Sequence, residues 1–441
     1  MKRTRFAVVL TSVLLTAACL SAQNVVVQWN AVAATTIITN AKEASVASGV
    51  WLAYVHLAVF DAVNAIDHRF HPYAFTADPP AAASQDAAAV AAAHRILVNY
   101  FPAQQASLDA QFTASLAAIS DTATNIRAGV AIGEASARAL IAARASDGLL
   151  ANVPYTPPVG PGSWQPTPPA FASPLTPWLG QMLPFTMTRP GQFFPEEGPT
   201  PLNSEEWIDD YNETRTLGAL NSTMRTPEQT ESGLFWTEHT GQQYGRAFRR
   251  LATQKGLSTS DTARLLAMLW SGYADAGIGC WNAKFFFSFW RPVTAIHAGG
   301  GNPELLADSN WAPLAATPAH PEYPAAHGCV TGAVSTILKG YFGTPDLQFS
   351  VDSLVTHTTH NFDSTRDLMD EVEHARIYAG FHYHHSVIQG KVLGRKVAHQ
   401  LLERFFTPFG ITPLCSDPGC SSNPEPRFRP SGRQPFPNQI R

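Results

Sequence analysis

The stretch 154–201 constrains this chain more than any other. Pro157, Pro158, Pro161, Pro166, Pro168, Pro169, Pro174 and Pro177 crowd its first half. Proline removes a backbone donor and clashes with the preceding turn, so no helix can run through this stretch. It also carries Trp164, Phe171, Trp178, Phe185, Phe193 and Phe194, too apolar a set for a free linker, and is expected to pack over its neighbours. On both sides the periodicity is helical. WLAYVHLAVFDAVNAI opens a long apolar-faced run from Trp51 to about Gly148, and helical spacing resumes near Glu205 and continues to about Phe406. The expected class is all-α: two helical bundle regions joined by an ordered Pro-rich connection. The boundaries read as a leader at 1–22, a helical region at 23–150, the connection at 151–204, a second bundle at 205–410 and an extended tail at 411–441.

The N-terminus has the form of a secretory signal peptide. Lys2, Arg3 and Arg5 precede an apolar run at 6–15, and small residues follow to Ala22. The protein is therefore expected to be exported, periplasmic or secreted. Cys19 offers a lipoprotein alternative, but Thr16 stands where a lipobox prefers a bulky apolar residue. Only 15% of residues are charged and the formal net charge is −4, which argues against a nucleic-acid or polyanion partner. No further stretch is uniformly apolar over the length of a membrane span. After cleavage Cys280, Cys329, Cys415 and Cys420 remain, enough for two disulfides with three connectivities. Cys415 with Cys420 and Cys280 with Cys329 is the expected pairing; a four-cysteine zinc site is the rival, without paired CxxC knuckles. No haem or dinucleotide motif is present.

Three segments carry candidate chemistry. In WNAKFFFSFWRPVTAI (281–296), Lys284 and Arg291 are seven apart, so one helix would set both on one face, with Pro292 ending it beside Arg291. Two cations among aromatics are costly to bury unless an anion lies between them, although an ordinary amphipathic helix fits the same spacing. In HPEYPAAHGCVTGAV (320–334), a helix is expected from 325–327 towards Lys339, its N-terminus a ready anion site with His327 beside it as a proton donor or acceptor. In ARIYAGFHYHHSVIQGKVLG (375–394), Arg376 and His382 are six apart and cannot share a helical face. Gly380 is the expected break, with a fresh helix from near His382 again turning its N-terminus to the anion. HxHH suggests zinc, but His384 and His385 do not share a helical face with His382 and no carboxylate stands at an i+3 or i+4 ligand position, which disfavours chelation by the three. His357 and His360 have helix-compatible ligand spacing but read better as a solvated pair.

In this order, Lys-x6-Arg-Pro, Pro-x-x-His and Arg-x5-His resemble the vanadium-dependent haloperoxidase and type 2 phosphatidic acid phosphatase superfamily. HLAVFDAVNAI, SWQPTPPAF, ADAGIGCWNAK and FWRPVTAI resemble its bacterial vanadium haloperoxidase-like branch and extend the likeness over most of the mature chain. The resemblance implies a vanadate cofactor, in a site that phosphate can also occupy. Lys284, Arg291, Arg376 and the Ala326 backbone would hold its oxygens, and His382 would bind vanadium axially. His327 would be the acid–base residue, and Trp281 and His320 match positions flanking the halide region, although both also fit as packing residues. Hydrogen peroxide, a halide and a small organic acceptor are the implied partners.

The chain also departs from the family pattern. The usual Pro-Ser-Gly-His reads Pro324-Ala325-Ala326-His327. Ala325 cannot offer a hydroxyl, and losing one hydrogen bond to a charged group costs about 1.5–3 kcal/mol, which predicts weaker cofactor binding. The Ala326 methyl is expected to crowd the approach or oppose a positive φ. The phosphatase pattern places Asp four residues after its nucleophilic histidine, where Ser386 stands here; the carboxylate that orients His382 is either missing or comes from elsewhere. Three readings remain open: a vanadate-dependent haloperoxidase, an exported acid phosphatase with His382 as nucleophile, and a degenerate oxyanion-binding non-enzyme.

Overall fold

The computed structural model describes residues 24–78 and 82–410. The expected leader with Cys19, and the expected tail with Cys415 and Cys420, lie outside the described residues.

The N-terminal part holds α1 (Val25–Ala34), α2 (Ser48–Asp67), α3 (Gln85–Tyr100), α4 (Gln105–Ala118) and α5 (Ala123–Ala143). After the connection come α6 (Glu205–Leu217), α7 (Pro227–Phe235), α8 (Thr240–Gln254), α9 (Thr259–Phe287), α10 (Pro292–His297) and α11 (Ala326–Phe342). A hairpin of β1 (Phe349–Ser353) and β2 (Thr358–Phe362) precedes α12 (Thr365–Tyr378) and α13 (His384–Arg404). Among the described residues the protein is all-α apart from this hairpin, whose strands pair antiparallel with Phe349 opposite Phe362. This corrects the expectation that helical periodicity continues to about Phe406: the hairpin interrupts it. The segment 349–362 is rich in Ser, Thr and Val, and β1 lies against α8. His357 occupies the hairpin turn with φ 59°, and His360 stands between Glu231 and Glu371, so HTTH is not a helical pair.

Two long apolar helices build the core. α2 is apolar enough to span a bilayer, but 94% of its apolar window is buried against protein, chiefly α3, α5 and α9. α9 continues the core to α11 and α13, and one hydrophobic cluster runs from Val26 on α1 to Leu401 on α13. The connection is packed onto this body as expected. Trp164, Trp178 and Phe185 are buried, although Phe171 is exposed. Buried Asp275 on α9 pins the connection by accepting the backbone N–H groups of Phe185 and Thr186, both at 2.6 Å. Such pairing satisfies polar groups that would otherwise be costly to bury.

α11 and α13 meet through glycines. A Cβ on Gly328, Gly332, Gly390 or Gly394 would fall 2.0–2.7 Å from a backbone oxygen of the facing helix or the residue that caps it. This backbone-to-backbone approach sets both helix starts beside the end of α9.

Candidate active site

Each candidate side chain is placed by a break in regular structure. α9 carries Trp281 and Lys284 but stops at Phe287, where Ser288 turns left-handed (φ 49°). Phe289 and Trp290 then run extended, with Trp290 donating to Gly162 O and Ser288 O accepting from Trp164 N, both bonds to the connection. Arg291 is consequently the N-cap of α10, with Pro292 at its first position, and not the end of the Lys284 helix. The two cations still converge, but across this break and not along one helical face.

α11 starts at Ala326 with Ala325 as N-cap, as the sequence predicts. Ala326 is helical, so no positive φ is demanded of it, and its expected backbone conflict is absent. Ala325 supplies no side-chain cap. α12 ends at Tyr378 and Gly380 (φ 75°) makes the break, packed so closely on Gly218 O and Pro313 that a Cβ would clash. α13 begins at His384, but its first N–H groups do not face the cations. Tyr383 N donates to Glu322 and His385 N to Asp210, so of the two helices α11 alone presents its start to the cavity. This corrects the expectation of two helix N-termini on the anion.

The result is a cavity of about 370 Å³ whose wall includes Trp281, His320, Ala326, His327, Arg376 and His382. Lys284 and Arg291 lie behind that wall. Lys284 Nζ donates to Pro321 O at 2.9 Å and Glu322 O at 2.7 Å. Arg291 donates to His320 O and Phe381 O, both at 2.9 Å, and its Nη1 sits 3.3 Å from His382 Nε2. Arg376 Nη1 donates to Trp236 O at 2.6 Å, while its Nε has no partner among the described residues. All three cations are at most 1% exposed. Burial lowers their pKa values, to about 8 for Lys284, 10 for Arg291 and 9 for Arg376, and repulsion from Arg291 adds to it at Lys284 and Arg376.

Burial and the same cations hold His320, His327 and His382 well below the usual histidine pKa, so all three are neutral near pH 7. His327 donates one ring nitrogen to the Trp236 carbonyl and leaves Nε2 buried and unpartnered. His382 Nδ1 lies 2.8 Å from Glu322 Oε1. His320 lies tilted against Trp281, centroids 4.8 Å apart, and Arg291 Nη2 stands 3.0 Å from its Nδ1. His384 and His385 point away into an open hollow lined by Glu206, Asp209 and Glu213, a poor setting for an anion.

Sequence reasoning missed Glu322. It is 0% exposed, and burial raises its pKa to about 7 against the pull of Lys284 and Arg291. An acid between two prolines in HPEYP was the available signal. Cys280 and Cys329 do come together, but as free buried thiols sharing a hydrogen bond, so the expected disulfide between them is not formed. A thiol contact suffices here because α9 and α11 are already packed.

The residues present fit a compact oxyanion. Among the described residues, three buried positive charges gather beside one buried carboxylate, and Arg376 Nε and His327 Nε2 are unsatisfied donor and acceptor groups. Because Lys284 is depressed to about 8 without an anion, binding an anion must raise its pKa and take up a proton above that pH. Affinity for sulfate, whose charge is constant here, is expected to hold below pH 8, fall by up to about tenfold per unit between pH 8 and 9, and fall more steeply above that as Arg376 also loses charge. Calorimetric titration between pH 6 and 10 checks this; a flat profile would remove Lys284 from the anion's reach.

The sequence profile of the VCPO second helical-bundle domain matches residues 264–409, a span holding every candidate site residue. Vanadium chloroperoxidase from Curvularia inaequalis is 28% identical over 228 residues, covering 37% of this chain and only 37% of that protein's own length. The fold is similar to the first bacterial vanadium-dependent iodoperoxidase (TM-score 0.75, 21% identity, 87% of this chain and 97% of that one). It is also similar to a holo-type bacterial vanadium-dependent chloroperoxidase (TM-score 0.68, 18% identity, 84% and 94%). The profile match thus falls on the bundle that carries the site, residues 264–409 resemble the VCPO second helical-bundle domain, and the fold of the chain is that of the bacterial vanadium haloperoxidases it is similar to.

Proposed function

We propose that the protein is a vanadate-dependent haloperoxidase, oxidising a halide with hydrogen peroxide to a hypohalous species. The observation that carries this is the burial of Lys284, Arg291 and Arg376 around two neutral histidines whose Nε2 atoms are not used to donate to protein groups. Bound vanadate would supply Lewis-acid activation of peroxide. The three cations would neutralise its oxygens by charge-assisted hydrogen bonds, with Arg376 Nε available at once and Lys284 sharing donors with backbone carbonyls. His382 Nε2 would bind the vanadium. His327 would take a proton from peroxide on Nε2, its ring held by the Trp236 carbonyl. Trp281 and His320, on the same wall, would border the halide, and the apolar approach through Val46, Leu175 and Phe381 would admit a small organic acceptor.

One observation favours a second reading, an exported acid phosphatase in which His382 attacks phosphorus and His327 protonates the leaving group. The Glu322–His382 contact restores the carboxylate that Ser386 does not provide. The two are separated by parallel assays on metal-stripped protein. Peroxide- and bromide-dependent dye bromination that appears only with vanadate supports the first reading. Nitrophenyl phosphate hydrolysis without bromination supports the second, and turnover in neither leaves a site that only binds oxyanion.

Ala325→Ser is expected to tighten vanadate binding about tenfold or more, the equivalent of one regained charge-assisted hydrogen bond. Ala325 is the uncapped N-cap of α11, so the hydroxyl also has a place in the fold. Vanadate titration of both proteins measures the difference; equal affinities would place position 325 outside the oxyanion shell.

A further inference from the structure

We infer that Glu322 is the positioning residue for His382, supplied by a different segment from the one in which the phosphatase pattern carries its carboxylate. The inference rests on the reading of His382 as the residue that meets the oxyanion. Glu322 is anchored through its backbone and through Oε1, while Oε2 is buried without a hydrogen-bond partner among the described residues. Its N–H donates to Phe289 O at 2.9 Å, its own carbonyl accepts Lys284 Nζ at 2.7 Å, and Pro321 and Pro324 bracket its segment outside any helix. Its Oε1 accepts from Tyr383 N at 3.2 Å and lies 2.8 Å from His382 Nδ1. Arginine can only donate, and Arg291 Nη1 stands 3.3 Å from His382 Nε2, so Nε2 is the acceptor, Nδ1 carries the proton, and Nδ1 is the donor to Oε1. The lone pair of the imidazole is thereby fixed on Nε2. A carboxylate on the far nitrogen also makes the ring a stronger ligand or nucleophile.

Glu322 could instead act only as a buried counter-charge for Lys284 and Arg291, and the two roles have opposite signatures. A counter-charge competes with a bound anion, so its removal strengthens binding of any oxyanion. A positioning residue is needed only by a ligand that bonds to Nε2. The test uses the full chain with 15N-labelled histidine and no anion, recording long-range 1H–15N correlations of His382 in wild type, Glu322→Gln and Glu322→Ala. Wild type is expected to be protonated on Nδ1. Glu322→Gln retains an accepting carbonyl and is expected to keep that tautomer, while Glu322→Ala shifts or mixes it.

Affinities are then compared for orthovanadate and sulfate. In Glu322→Ala, vanadate binding is expected to weaken by about 10–100-fold while sulfate binding holds or strengthens, and Glu322→Gln should recover most of the vanadate affinity. An unchanged His382 tautomer in Glu322→Ala, or vanadate and sulfate affinities that move together, overturns the inference. Should Glu322→Ala not fold, the inference stands or falls on Glu322→Gln: the wild-type tautomer, with vanadate weakened less than tenfold and sulfate not weakened, supports it, and any other result overturns it. Should wild type bind vanadate no better than sulfate, the cofactor reading fails, and the tautomer spectra still decide the role of Glu322.

Discussion

His382→Ala is expected to abolish vanadate-dependent halide oxidation, lowering kcat by roughly 10³-fold or more, as loss of a group that works in a unit does. Three buried cations remain, so the variant should still bind sulfate with little change. Vanadate affinity should fall to near the sulfate level, because the substitution removes the bond to Nε2 and leaves the cations in place. It also strips Glu322 Oε1 of its closest partner and leaves that oxygen the Tyr383 N–H. Leaving a buried carboxylate underpaired is destabilising, so the melting temperature should drop as well. Steady-state bromination with paired vanadate and sulfate titrations separates these effects. Retained turnover, or equal weakening of both anions, would mean that His382 is a wall residue and not the ligand.

Gly394→Ala is expected to be the most damaging single methyl in the bundle. Alanine improves helix propensity by about 1 kcal/mol over glycine, which taken alone would stabilise α13. Opposing that, the new Cβ would stand 2.0 Å from Cys329 O and 2.7 Å from Ala333 N, backbone atoms of α11 that cannot rotate away. Separating two packed helices costs about 3 kcal/mol, the upper end for overpacking, so the clash wins and the melting temperature should fall by roughly 5 °C or more. Gly340→Ala is the control. Its Cβ would meet the flexible Leu402 side chain and no backbone atom, so its cost should be small. Because α11 carries His327 and α13 adjoins His382, Gly394→Ala should also weaken vanadate binding. Equal melting temperatures for the two variants would show that the helices slide freely and that the glycines do not position the site.

The proline stretch, the helical regions and the break at Gly380 were legible because each depends on local chemistry: a missing donor, a 3.6-residue period, a positive φ. The same holds for the start of α11 after Pro324. Placing Lys284 and Arg291 on one helix failed because Ser288 ends α9 before Pro292 can, and that end is held by Trp164 and Gly162, more than a hundred residues earlier in the chain. The hairpin at 349–362 was hidden by its brevity and depends on packing against α8. Glu322 was missed because no carboxylate stands at a helical offset from His382, and the one that serves it arrives from sixty residues upstream. The Trp236 carbonyl that holds both His327 and Arg376 has no sequence signature at all.

Whether this buried cationic cavity holds vanadate and uses it to oxidise halide is tested most directly by titrating metal-stripped protein with orthovanadate while bromide oxidation by hydrogen peroxide is followed. The expected result is no oxidation without vanadate and activity that rises to saturation at one vanadate per chain, with phosphate competing. Oxidation independent of vanadate, or stoichiometric binding that yields no oxidation of bromide or iodide, would contradict it.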